Sequence, residues 1–190
     1  MRIVSGTLKS TPIHWLPVLS HIPPPDLRRK TALLREYEKI QDNPLLPIHA
    51  DVNDLDKNRL RSRRPPMRTA RELDALEFNP ALFWEREWRD ACPAHCRDLP
   101  CLTEKPPAYE QPRKIWTSIN RIRTGHGRCG DSLYKWGKTP SPACDCGAAN
   151  QTVHHIVTEC QKRAYNGNFN DFLMATKEAI DYICKLDVCL

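Results

Sequence analysis

Pro112-Arg113-Lys114-Ile115-Trp116-Thr117-Ser118-Ile119-Asn120-Arg121-Ile122-Arg123-Thr124-Gly125 opens on a proline, repeats isoleucine at 115, 119 and 122, and closes on a glycine. That spacing predicts a helix over 112–123, with an isoleucine stripe, Trp116 beside it and a stop at Thr124-Gly125. The same period recurs outward on both sides. Toward the N-terminus, Leu27, Leu33, Leu34, Tyr37 and Ile40 predict a helix over 26–41, opened by Pro25 or Asp26 and ended by Asn43-Pro44. A helical patch follows over 69–76. Asn79-Pro80 then reads as an N-cap with proline at N1, opening a helix that sets Leu82, Phe83, Trp84 and Trp88 along one side. Toward the C-terminus, a short helix is expected over 131–136. A last amphipathic helix over 168–186 is expected to bury Phe169, Phe172, Thr176, Ala179, Ile180, Ile183 and Leu186.

No strand alternation of useful length and no fixed-period repeat is readable. The predicted fold is mostly α, short helices joined by Pro-rich loops, with a small irregular zinc-binding module near the C-terminus. Five segments are expected: an extended stretch over 1–25, a helical region over 26–110 with a basic Pro-rich connector at 44–68, a basic helical segment over 111–138, a metal module over 139–165 and an amphipathic helix over 166–190. The 17 prolines against 7 glycines favour stiff connections over flexible ones. With 190 residues, 40% of them hydrophobic, the chain has material for a modest core.

No apolar run approaches the ~20 residues of a membrane span, and the N-terminus lacks a signal-type apolar stretch. Nine cysteines in such a chain point to metal ligands and free thiols in a reducing compartment, cytoplasmic or nuclear, with no membrane partner. The sequon at Asn150 is then expected to carry no glycan.

The net charge of +6 is unevenly placed. Residues 57–71 hold seven basic side chains, among them Arg61, Arg63 and Arg64, and no acidic one. Residues 111–138 hold seven more, Arg113, Lys114, Arg121, Arg123, Arg128, Lys135 and Lys138, against Asp131 alone. The remainder carries 15 basic against 22 acidic side chains. Segregated positive charge interleaved with Trp116, Tyr134 and Trp136 fits phosphate contact with base stacking, so RNA or single-stranded DNA is the expected partner. The competing account puts those aromatics in the core and the arginines in solvent.

The sharpest chemical signal is Cys144-Asp145-Cys146-Gly147 followed by His155-Ile156-Val157-Thr158-Glu159-Cys160, a C-x-C-x8-H-x4-C spacing. Three thiols and one imidazole within 17 residues suit a closed tetrahedral Zn²⁺ site, structural and without an open catalytic position. His154 is an alternative ligand, and His155 has the shorter reach to Cys160. The five-residue step to Cys160 exceeds one α-turn, so the segment must bend or unwind. Cys92, His95, Cys96 and Cys101 are too crowded around Pro93 for a second site, and the three cysteines are expected as free thiols.

Two motifs fail on context. Gly125-x-Gly127-x-x-Gly130 follows a helix and not a strand, which excludes a dinucleotide fold. A calcium loop begun at Asp54 has Arg59 where glycine is needed and Pro65 where glutamate is needed. No catalytic constellation and no small-molecule substrate site is readable.

Trp116 to Cys129, then Leu133-Tyr134-Lys135-Trp136-Gly137, Cys144-Asp145-Cys146-Gly147 and Gln151 to Cys160, together resemble the C-terminal tail of non-LTR retrotransposon reverse transcriptases of jockey-like type. Ser5-Gly6-Thr7-Leu8, Trp15 to Leu19 and Pro24 to Arg29 resemble the segment joining polymerase to tail. The resemblance is loose between about 42 and 110. It implies that Cys144, Cys146, His155 and Cys160 hold the metal, with His154 where the family often has a carboxylate. It also implies that the paired-aspartate polymerase site lies upstream and that Met1 is an internal methionine of a longer frame. The tail of that family is associated with element RNA or target DNA. The expectation is a non-catalytic nucleic-acid-binding tail fragment. The alternatives are a zinc-stabilised protein scaffold docking through an exposed Trp84/Trp88 helix, and a non-functional relic.

Overall fold

The computed structural model describes residues 1–53, 65–97, 99, 102, 104–188 and 190. Among the described residues there are helices and turns and no strand. In chain order the helices are α1 Arg2–Ser5, α2 Trp15–Ser20, α3 Pro25–Gln41, α4 Ile48–Asn53, α5 Pro66–Ala75, α6 Pro80–Ala91, α7 Arg113–Thr124, α8 Gly130–Lys135, α9 Asn170–Met174 and α10 Lys177–Lys185. A 3₁₀ turn lies at Ala94–Cys96 and one wide turn at His155–Glu159. No described helix is long and apolar enough to cross a membrane. The chain divides into two compact units, one of Pro23–Glu87 and one of Met1–Ile22 with Trp88–Leu190.

The Pro23–Glu87 unit is helical where proline allows a start. Pro25 and Pro66 each occupy a first helical turn, where a missing N–H costs nothing. Its small core gathers Tyr37 of α3, Val52 of α4 and Ala70 of α5, with Leu33, Ile40 and Met67 against them. The connector expected over 44–68 therefore contains a helix, α4, because Val52 has a buried seat to fill. At the start of α6, Asn79 Oδ1 accepts from the amides of Ala81 and Leu82 at 3.0 and 3.1 Å, the N-cap expected from sequence. Trp84 and Trp88 are buried, at 7% and 6% exposure, so the exposed tryptophan helix required by a docking scaffold is not present.

In the second unit, α7 is the central element. Trp116, Ile119 and Ile122 meet Val153, Ile156 and Val157 of the metal module and Phe172, Ala179 and Ile183 of the last two helices. Its opposite side holds the N-terminus. Arg113 donates to the carbonyls of Ile3 and Val4, Trp116 Nε1 to Val4 O at 2.8 Å, Asn120 Nδ2 to Ser5 O at 2.9 Å and Arg121 Nε to Gly6 O at 3.1 Å. Four side chains of α7 thus satisfy the Ile3, Val4 and Ser5 carbonyls at the end of α1, which a four-residue helix cannot satisfy itself, and that of Gly6 just beyond it. The segment expected to be extended over 1–25 is helical at α1 for this reason, and also at α2, all six of whose residues are buried. Gly6 closes α1 at φ 71°, and a Cβ there would stand 2.4 Å from Thr117 Oγ1.

The last helix expected over 168–186 is two helices. Ala175 takes a left-handed conformation, φ 54°, and Thr176 caps α10 by accepting from Ala179 N at 3.4 Å. The cause is Arg123. Its guanidinium donates to Phe172 O at 2.9 Å and Leu173 O at 2.7 Å, carbonyls that a continuous helix would have used for its own next turn.

Candidate metal centre

Two short pieces of chain build the centre. In the first, Gly147 N donates to Cys144 O at 3.0 Å and Cys144 N to Ala148 O at 2.9 Å. This tight loop turns the Cys144 and Cys146 thiols to one side. In the second, Thr152 Oγ1 accepts from His155 N at 3.0 Å. The chain then makes a wide turn in which Cys160 N donates to His155 O at 2.8 Å, an i to i+5 bond. A turn widened in this way brings residues five apart one above the other. It meets the requirement, set by spacing, that the segment leave α geometry before Cys160.

The ligand atoms of Cys144, Cys146, His155 and Cys160 all lie within 4.8 Å of one another. Cys144 Sγ and Cys160 Sγ are 3.9 Å apart, and Cys146 Sγ is 3.2 Å from His155 Nε2. Tetrahedral bonds of about 2.3 Å to sulfur and 2.0–2.1 Å to nitrogen would set such atoms roughly 3.5–3.8 Å apart. The residues fit a metal ion. Of the two candidate histidines, His155 enters the cluster while His154, with a side chain 73% exposed, remains outside.

Surrounding groups fix this donor set. Glu159 Oε2 lies 3.5 Å from His155 Nδ1, which orients the ring with Nε2 toward the thiols. Gln151 Nε2 reaches Cys144 Sγ at 3.6 Å and Arg163 Nη1 reaches it at 3.9 Å, so N–H groups face the sulfur that carries charge when ionised. Arg163 also bonds Asp145 and Asp187, with Nη2 at 2.9 and 2.8 Å from the two carboxylates. These bonds, Asp187 first and then Asp145, raise the guanidinium pKa, and the Arg163 bond holds the Asp145 carboxyl well below the usual carboxylate range. The ligand loop is thereby tied to the chain following α10. Glu159 stands four residues after His155, a spacing that marks it as a helical neighbour; Gln151 and Arg163 carry no comparable sequence signal.

The positions predicted to touch nucleic acid separate into four groups. Arg61, Arg63 and Arg64 lie outside the described residues. Trp116 and Arg123 are buried, at 4% and 0% exposure, and are corrected from ligand contacts to core. The Arg123 guanidinium is enclosed by Pro107, Phe172 and Leu173 carbonyls and Asn120 Oδ1. Burial lowers its pKa, and those four oxygens hold the cation. Arg113 and Arg121 are engaged with backbone carbonyls of the N-terminal segment, and Arg121 also with Leu190 O. Lys114, Arg128, Lys135 and Trp136 are exposed, as is Arg113 despite those bonds, and Lys135 is paired to Asp131 at 2.7 Å. The charge pattern thus mixed fold-building arginines with surface ones.

Gly125 ends α7 in the left-handed conformation, as expected. Gly127 is required by contact, since a Cβ there would meet Val153 Cγ2 at 2.7 Å. Gly130 N donates to Gln151 Oε1 at 2.9 Å and Asp131 N to Gln151 O at 3.0 Å, joining the start of α8 to the metal module. Cys96 is a buried thiol that donates to Arg123 O at 3.8 Å.

No protein-family model matches the chain, and no solved structure matches it. A 42-residue stretch is 40% identical to the retrovirus-related Pol polyprotein from type-1 retrotransposable element R1 of Bradysia coprophila. It amounts to 22% of this chain and 4% of that polyprotein. The likeness supports a retrotransposon-derived region.

Proposed function

We propose that the chain is a zinc-stabilised, non-catalytic nucleic-acid-binding tail of a jockey-like non-LTR retrotransposon reverse transcriptase. One observation carries this reading: Gln151 joins a Cys₃His cluster to the first turn of α8, beside exposed Arg128 and ahead of exposed Lys135 and Trp136. A metal held by Cys144, Cys146, His155 and Cys160 then fixes how those side chains are presented. Three thiolates and an imidazole select Zn²⁺ by softness and geometry, and four protein ligands make the ion structural. The partner is RNA or single-stranded DNA, met in the cytoplasm or nucleus. The likeness to a retrotransposon polyprotein supports the origin.

The test compares the purified chain with Cys144→Ser/Cys146→Ser. One zinc per chain and salt-sensitive binding to a labelled single-stranded RNA, both lost in the double variant, are the expected results. Zinc without RNA binding at low salt would leave a metal-stabilised module without this partner.

A further inference from the structure

A cavity of about 390 Å³ lies beside the metal ligands and takes no part in holding the ion. Ile122, Val153, Val157 and Phe169 give it a mainly apolar lining, and His95 and Thr158 bring polar atoms to it. Pockets of about 300–1,000 Å³ with this balance are the usual form of a site for a small, largely apolar group. His95, exposed on the 3₁₀ turn, stands edge-on to Phe169, with centroids 5.1 Å apart and planes at 81°. A flat ring entering there can stack on one of the two and meet the edge of the other.

The surroundings say which kind of ring. Gly125, at the end of α7, also lines the cavity, and exposed Arg128 follows three residues later. Three residues span at most about 11 Å, and the long arginine side chain covers much of that distance. Arg128 is thus an exposed cation close in the chain to one wall of the cavity. Val153, Val157 and Thr158 lie two or three residues from ligand His155, so a bound metal fixes that wall. We propose that the cavity takes one unstacked base of a single-stranded nucleic acid, with the adjoining phosphate on Arg128. This deepens the nucleic-acid reading above and rests on it. An apolar peptide side chain would suit the lining but would leave exposed Arg128 without an anionic partner.

The experiment uses the full zinc-loaded chain and a fluorescein-labelled single-stranded RNA 10-mer of mixed sequence, with and without one 5-iodouridine. His95→Ala removes a stacking ring and Thr158→Trp fills the cavity from an exposed position, so both variants keep the core; zinc content and circular dichroism check this. Each is expected to weaken binding roughly five-fold or more, the lower end of what stacking a base on an aromatic ring contributes. The iodouridine oligonucleotide is expected to crosslink to His95 or Phe169. Unchanged affinity in both zinc-loaded variants, with the unmodified chain binding normally, overturns the base pocket and leaves the nucleic-acid reading standing. Failure of the unmodified chain to bind the oligonucleotide at low salt overturns both.

Discussion

Arg123 donates four hydrogen bonds to neutral oxygens while fully buried, and it determines where the chain's last helix breaks. Replacing it with alanine removes the donor from three buried acceptors and one half-buried one and opens a cavity beside Phe172. A loss of about 3 kcal/mol or more is expected from such uncompensated polar burial, read as a shift of the urea midpoint. Arg123→Lys is expected to recover little of it, because one ammonium cannot reproduce the planar fork. Cys96 is the complementary case. Burial pushes its thiol up to about 12, whereas a cysteine in an unfolded chain ionises at about 8.5. Above that pH the unfolded state gives up a proton that the native state keeps. The stabilising contribution is complete below pH 8.5 and is lost progressively toward 12. Native protein at pH 8.5 is thus expected to leave Cys96 unlabelled by iodoacetamide while exposed Cys184 reacts, and Cys96→Ala is expected to reduce the alkaline fall in stability.

At the scale of elements, what was legible in sequence was local. The starts of α3 and α6 were written in Pro25 and Asn79-Pro80, and the end of α7 in Gly125, because caps act within one turn. The four metal ligands were legible as a spacing, and the wide turn followed from a five-residue step that an α-helix cannot make. The break at Ala175 was not legible, because its cause sits some fifty residues earlier in Arg123. Likewise α1 has no sequence signal of its own; its carbonyls are satisfied by donors more than a hundred residues away. Two element-level outcomes follow. Gly6→Ala places a methyl against Thr117 and is expected to detach α1, seen as faster amide exchange over residues 2–8 with the metal site intact. Glu159→Gln weakens the orientation of His155 and is expected to reduce zinc affinity about 10–100-fold in a chelator competition, the usual effect of losing a carboxylate behind a ligating histidine.

For the whole molecule, the question is how much of a +6 charge faces a partner. Composition counts Arg113, Arg121 and Arg123 with the rest of the 111–138 segment, yet all three bond carbonyls of this chain. Arg113 is exposed but held by those carbonyls; Lys114, Arg128, Lys135 and Lys138 are the further exposed cations there, and the direct 2.7 Å pair of Lys135 with Asp131 is a solvated surface pair of low energy. If that set makes the phosphate contacts, about four charges are neutralised. The slope of log affinity against log salt for single-stranded RNA is then expected near −3, at about −0.7 per phosphate, with nearer −5 expected if all seven basic residues contributed. Arg128→Ala/Lys138→Ala is expected to flatten the slope by about 1.4 with no change in thermal stability. Arg121→Ala is expected to do the reverse, lowering stability through the lost bond to Gly6 while leaving the slope of the folded fraction unchanged. A slope equally sensitive to both substitutions would mean that the arginines bonded to backbone in the free protein are released to the nucleic acid on binding. In that case the N-terminal segment would become exposed to exchange in the complex, which the same amide-exchange measurement on bound and free chain would detect.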